Sequence, residues 1–164
     1  MAKQRPTPTA TDYARLAAYI DGEGNIGVQR NKLSWFVQIT IVNTDPRLAV
    51  WLYETFGGFI NARHDNHRKS VKWRSTLVWY VTCGRAHDLL EGCYPYLVTK
   101  ADQADICLAF RKTVKRVGVK GHSKETINLR ESMRDNLKVL RHREYSKEEL
   151  DAIADSSKSP RKVS

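Results

Sequence analysis

The 164 residues read as an α+β domain of αββαββα order, an antiparallel sheet with helices on one face and extra C-terminal helices. Three observations predict it. Two pairs of alternating, Val- and Ile-rich segments sit between helical patterns, which joins strands as hairpins and lets the intervening helices share one side of the sheet. The alternation keeps one parity, with Val37, Ile39 and Ile41 on one face and Gln38 and Thr40 on the other. The surplus of positive charge lies in the last third, beyond the second hairpin.

Thr9 and Asp12 are spaced as a capping box ahead of the first helix. Tyr13, Leu16, Ala17 and Ile20 then keep helical spacing, while Ala14, Ala18 and Asp21 line a second face of small residues ending in a carboxylate. Gly22 and Gly24, around Glu23, are expected to stop this helix. Asn25 to Arg30 and Trp35 to Val42 form a hairpin across the polar turn Asn31-Lys32-Leu33-Ser34. Asp45-Pro46 starts a second helix with Leu48, Trp51, Leu52 and Phe56 on its apolar face, ended by Gly57-Gly58. A second hairpin runs from Phe59 to about Asp65 and from about Val71 to Thr82, across a basic loop from Asn66 to Lys72. Gly84 opens a short helix carrying Leu89, Leu90 and Cys93, broken by Pro95. Another is expected from Ala101 to about Arg116. Lys124 to Arg141 is helical, and Ser146 with Glu149 caps a last short helix through Ile153.

Lys and Arg number 28 against 18 Asp and Glu, a net charge of +10, which points to a polyanionic partner. Apolar residues at 41% and charged residues at 28% exclude a fully disordered chain or a fibre. No apolar run reaches the roughly 18 residues of a spanning helix and no signal peptide is evident. The expectation is a soluble, intracellular protein of a bacterial or phage cytoplasm or an organelle, with no membrane partner. Residues 1–10 are expected to be a flexible segment, 11–116 the core domain, 117–155 a basic helical extension and 156–164 a flexible tail. Cys83, Cys93 and Cys107 contain no Cys-x-x-Cys pair and are expected to be reduced and buried. His64 and His67 form His-x-x-His without a third ligand in register.

Between Arg111 and Arg143, eleven Lys or Arg stand against three acids. Arg130, Arg134, Lys138 and Arg141 fall in one helical stripe beside Leu129, Met133, Leu137 and Leu140, so one face docks and the other is cationic. Phosphate contacts are expected from that stripe and from Lys115 and Arg116. Strand parity sends Asn25, Gly27, Gln29, Gln38, Thr40, Asn61, Arg63 and Asp65 outward. Arg74 and Thr76 join them on the fourth strand, and Asn31 and Lys32 at the turn. The outer face is then expected to be polar and rich in hydrogen-bonding groups, as reading base edges in a major groove requires.

Leu16-Ala17-Ala18-Tyr19-Ile20-Asp21-Gly22-Glu23-Gly24 resembles the LAGLIDADG signature of homing endonucleases, with Glu in place of the second Asp. Pro95-Tyr96-Leu97-Val98-Thr99-Lys100-Ala101-Asp102-Gln103-Ala104 is similar to the Pro-Tyr-Leu-x-x-Lys-x-x-Gln-Ala element of the same family, and Asn43-Thr44-Asp45 to its central part. The resemblance runs from about Thr11 to Arg116. It implies a homodimeric, sequence-specific endonuclease that hydrolyses phosphodiester bonds in double-stranded DNA at a long, pseudo-palindromic site. Mg²⁺ (or Mn²⁺, with Ca²⁺ a non-catalytic substitute) is the implied cofactor. The implied metal-binding acid is Glu23, with Gly22 beside it; Lys100 is the basic residue near the phosphate, Asn43 holds the solvent-orienting position and Arg47 is a further basic residue.

One motif per chain supplies too few ligands for a complete site, so two subunits are expected to pair through Ala14, Ala17, Ala18 and Asp21. Small side chains there let helix axes approach to about 8 Å. Asp21 is expected to be a structural helix-end residue rather than a metal ligand. The alternative is a non-catalytic DNA-binding regulator, or an RNA-splicing maturase using the same fold, and RNA is a partner only in that case.

Overall fold

The computed structural model describes residues 7–32, 34–64, 75–114 and 121–156. Along the chain these form α1 (Ala10–Glu23), β1 (Gly24–Arg30), β2 (Trp35–Asn43), α2 (Pro46–Phe56), β3 (Phe59–Arg63), β4 (Thr76–Thr82), α3 (Cys83–Cys93), α4 (Ala101–Arg111), α5 (Lys124–Arg141) and α6 (Lys147–Ser156), with a 3-10 turn at Tyr94–Tyr96. The strands make one antiparallel sheet in the order β1-β2-β4-β3. This is the α+β arrangement that the two hairpins predict.

Register places Ile26, Ile39 and Val81 in one row and Ile41, Trp79 and Ile60 in the next, on the face that the helices cover. Leu16, Ile20, Leu52 and Leu90 are fully excluded from water against those rows, each contributing roughly 1.5–3 kcal/mol of burial. The Trp79 indole N–H donates to the Gly57 carbonyl at 2.7 Å, so the largest core side chain leaves no buried donor unpaired. Close approach of a neighbour explains two glycines. A Cβ at Gly24 would lie 2.6 Å from Ile20 Cα, so only glycine lets β1 leave α1 this tightly. A Cβ at Gly92 would overlap the Tyr13 ring, which packs there between α1 and α3.

Element ends differ from expectation in several places. The capping box of α1 is present, with Asp12 N–H donating to Thr9 Oγ1 at 3.2 Å and Thr9 N–H to Asp12 Oδ2 at 2.9 Å. Ala10 is therefore already helical, inside the segment expected to be flexible. Gly22 does not stop α1, which runs on to Glu23 before Gly24 turns extended. α4 ends at Arg111, where Thr113 bonds back to the Phe110 carbonyl through its N–H (2.9 Å) and hydroxyl (2.7 Å). α6 opens on the reciprocal bonds of Ser146 and Glu149 and continues past Ile153 to Ser156, whose hydroxyl donates to the Ile153 carbonyl at 2.7 Å. Asp65, Arg74, Lys115, Arg116, His67 and the expected basic loop lie outside the described residues. No described helix is long and apolar enough to cross a membrane.

Candidate metal and nucleic-acid site

Glu23 is the last residue of α1 and is exposed, as is Gly22 before it. Asn43, the last residue of β2, donates from Nδ2 to Glu23 Oε2 at 2.6 Å and accepts Asp45 N–H on Oδ1 at 2.7 Å. The amide is therefore fixed at both ends. Asp45 caps α2 by accepting Arg47 N–H at 2.9 Å, and its carboxylate takes the Arg47 guanidinium in a two-pronged grip, Nε at 3.0 Å and Nη2 at 2.6 Å. Those bonds hold the Asp45 carboxyl at about 2, while Arg47 keeps 89% of its side chain exposed. Among the described residues Glu23 Oε1 accepts no hydrogen bond. Beside this chain of contacts opens a cleft of about 420 Å³ lined by Arg15, Tyr19, Asn43, Arg47 and Trp51. Arg15 lies 4.3 Å over the Trp51 ring. Sequence reasoning passed over Arg15 and Tyr19, although Arg15, Tyr19 and Glu23 follow one another at intervals of four, which places all three along one side of a helix.

Lys100 and Asp21 lock the same helix end from the other side. The Asp21 carboxylate accepts backbone N–H groups from Val98 (2.8 Å), Thr99 (3.2 Å) and Lys100 (3.0 Å) and the Thr99 hydroxyl at 3.0 Å. Lys100 Nζ returns to α1, donating to the carbonyls of Ile20 at 2.6 Å and Asp21 at 2.7 Å. A cation there adds a donor to two carbonyls of the last helical turn, that of Ile20 also taking the Gly24 N–H, and offsets the negative end of the helix dipole. Burial pushes the ammonium below its usual lysine value, opposed by the Asp21 carboxylate. An ammonium carries three donors, so among the described residues one N–H remains for an incoming oxygen.

No family model matches the chain, and no curated protein matches its sequence. Solved structures do. The homing endonuclease I-CvuI, in complex with its target in the presence of Ca, is 18% identical and superposes with a TM-score of 0.66 over 89% of this chain and 92% of that one. The archaeal intron-encoded homing endonuclease I-Vdi141I, complexed with DNA, gives 13% identity and a TM-score of 0.61 over 88% of this chain and 93% of that one. The LAGLIDADG meganuclease I-AabMI, bound to uncleaved DNA, gives 18% identity and a TM-score of 0.51 over 74% of this chain but 43% of its own. This chain has the LAGLIDADG homing-endonuclease fold.

In this LAGLIDADG fold the sheet face turned away from the helix-covered core carries the rows Asn25-Thr40-Tyr80-Phe59, Gly27-Gln38-Thr82 and Arg63-Thr76. Asn61 and Arg63 are exposed, as are Asn31 and Lys32 at the first turn; Asn25, Gln29, Gln38, Thr40 and Thr76 are half-buried. The face is not the purely polar one expected. Phe59 and Tyr80 stack at 5.4 Å, with Phe59 59% exposed, and Val78 lies between Val42 and Asn61. The parity that selected Asn61 and Arg63 also sends Phe59 outward, so the signal for it was present.

Four expected site residues sit elsewhere. Gly27 is buried beneath the guanidinium of Arg141, which a Cβ at that position would overlap. Arg141 Nη2 is spent on the Ile26 carbonyl at 2.6 Å, so its place in a phosphate-facing stripe is corrected too. Arg130 is 2% exposed. Its Nη2 and Nε donate to the Thr113 carbonyl (2.7 Å) and hydroxyl (3.0 Å), and Nη1 meets His122 Nε2 at 2.9 Å, above the Phe110 ring. Both ends of the stripe therefore dock, leaving Arg134 and Lys138 between them exposed, the latter paired with Asp135 at 2.8 Å. Ala17 is fully buried in the core and cannot line a subunit contact. Asp21 turns its carboxylate into its own chain, as a structural residue would. Ala14 and Ala18 do remain on the open side of α1, and nothing lies within 4 Å of a Cβ built on Gly22.

The other candidate ligands are scattered. His64 Nδ1 lies 3.1 Å from Ser75 Oγ. Cys93 and Cys107 are buried, and burial pushes both thiols up to about 12; Cys83 is exposed, against expectation, because it turns the chain from β4 into α3 at φ 58°.

Proposed function

We propose that the chain is one subunit of a homodimeric, Mg²⁺-dependent, sequence-specific DNA endonuclease acting on a long, roughly palindromic duplex. The observation that carries this reading is the exposed Glu23 carboxylate at the tip of α1, oriented by Asn43 through one oxygen, the other accepting no hydrogen bond among the described residues. A hard cation taken up by one or two carboxylates, with water and phosphate completing its shell, fits that donor set. Mg²⁺ held by Glu23, with the backbone of Gly22 adjoining, would supply Lewis-acid stabilisation of charge on the scissile phosphate. Asn43 orients the acid, Lys100 fixes the end of α1 and offers its remaining N–H to a phosphate oxygen, and Arg47 presents an exposed guanidinium beside the cleft.

Pairing of two chains is supported by the open side of α1, with Ala14, Ala18 and Gly22. It is also supported by coverage, since the chain matches 92% of I-CvuI but 43% of I-AabMI and 49% of I-SmaMI, the last bound to an uncleaved DNA target with calcium ions. Two identical tips brought together would act on two strands, and their two-fold symmetry asks for a nearly two-fold site. The outer sheet face, with Asn25, Gln38, Thr40, Asn61 and Arg63, would read bases while Arg134 and Lys138 meet phosphates.

The test is incubation of a randomised duplex library with purified protein and Mg²⁺, followed by sequencing of cut ends. Cleavage at one defined, near-palindromic sequence is expected. Glu23→Gln is expected to retain binding to that sequence and lose at least 100-fold in cleavage rate; unchanged cleavage would remove Glu23 from the metal site.

A further inference from the structure

We propose that α3 carries a second cation site, distinct from Glu23, in which His87, Asp88 and Glu91 take a borderline divalent transition metal of the Zn²⁺ class. His87 is 7% exposed, yet among the described residues its buried Nδ1 has no hydrogen-bond partner. A buried nitrogen left unsatisfied is uncommon and costly, so it asks for a partner. It faces Glu91 Oε1 at 3.6 Å. That is too long for a hydrogen bond, but it is the span that two metal bonds of about 2.1 Å enclose at an angle of about 118°, close to tetrahedral.

One turn of helix provides the set. Residues four apart share a face, which brings His87 and Glu91 together, and Asp88 lies three positions before Glu91 on the adjoining side. The donor atoms of all three lie within 4.8 Å of one another. The side chains of Asp88 and Glu91 are 70% and 63% exposed, so both are free to close by rotation about their own bonds. Asp88 now faces Arg111 Nη1 at 3.7 Å, a long surface pair of small worth that a cation would displace. An imidazole nitrogen with two carboxylate oxygens suits Zn²⁺ and its neighbours, whereas Mg²⁺ and Ca²⁺ prefer oxygen alone. The nitrogen ligand thus separates this site from Glu23, whose donors are oxygens.

The experiment is titration of Zn²⁺ into the full-length, DNA-free chain, followed by calorimetry and by imidazole ¹⁵N resonances. The His87 Nδ1 resonance is expected to move with Zn²⁺ and to stay in place with Mg²⁺. Glu91→Gln, at an exposed position that leaves the fold intact, is expected to weaken that binding at least tenfold, while Glu23→Gln retains the His87 shift. A His87 Nδ1 resonance that does not move at saturating Zn²⁺, or a Glu91→Gln chain that binds as tightly as the parent, would overturn the proposal.

Discussion

Asp21 and Glu23 stand two positions apart on one helix end and have opposite environments. Three backbone N–H groups and a hydroxyl converge on Asp21, whereas Glu23 touches Asn43 and otherwise faces outward. Removing the Asp21 acceptor strands those donors and frees the segment that carries Lys100. Asp21→Ala is therefore expected to lower unfolding free energy by about 2–3 kcal/mol, read from urea denaturation, whereas Glu23→Gln should leave the midpoint where it is. Asp45 gives a pH dependence with a definite sign. Its carboxyl is held by Arg47 at about 2, below the ordinary 3.8, so the folded state favours the ionised form. That stabilisation is complete above 3.8 and is lost as pH falls through about 2. Asn caps helices as well as Asp does, which makes Asp45→Asn a clean comparison. Its denaturation midpoint is expected to lie below that of the parent at pH 5 and to converge with it toward pH 2.

At the level of elements, α5 shows what a spacing pattern carries. Its bounds, Lys124–Arg141, follow from the apolar stripe and the Ser123 cap, and residues four apart do share a face. Which side of that face turns inward depends on the rotation of the helix about its axis, and this is fixed by partners distant in sequence. Arg130 is buried because Thr113 and His122 accept its guanidinium, and neither is marked as an acceptor by the stripe. Gly27 is covered for the same kind of reason, by Arg141 from 114 residues away in a contact that strand parity does not contain. The LAGLIDADG-like turn, the hairpins and the Lys100 segment were legible because each is a local pattern. Gly27→Ala tests the docking of α5. The added methyl would displace a flexible guanidinium rather than backbone, so a modest loss of about 1 kcal/mol is expected. Hydrogen exchange should quicken in α5 and remain slow in β2 and β4.

For the whole molecule, the proposed pairing ties assembly to chemistry, since each chain brings one Glu23 to the proposed site. Light scattering is expected to give twice the mass of the 164-residue chain. Ala18 is exposed at the middle of the open side of α1. Ala18→Glu, which would set two carboxylates against each other, is expected to yield folded monomers with unchanged circular dichroism and no double-strand cleavage.

The sheet itself ends in two strands of different character. β3 is five residues long and displays Asn61 and Arg63, a short, charged border that discourages pairing with another molecule. β1 is longer, at seven residues, and is shielded by α4 and α5, with Arg141 fastened to its Ile26 carbonyl and Arg30 paired to Glu131 at 2.8 Å. Without α5 that longer border would keep only α4 beside it, and the Ile26 carbonyl would lose the Arg141 guanidinium, leaving more of the edge open to pairing with another strand.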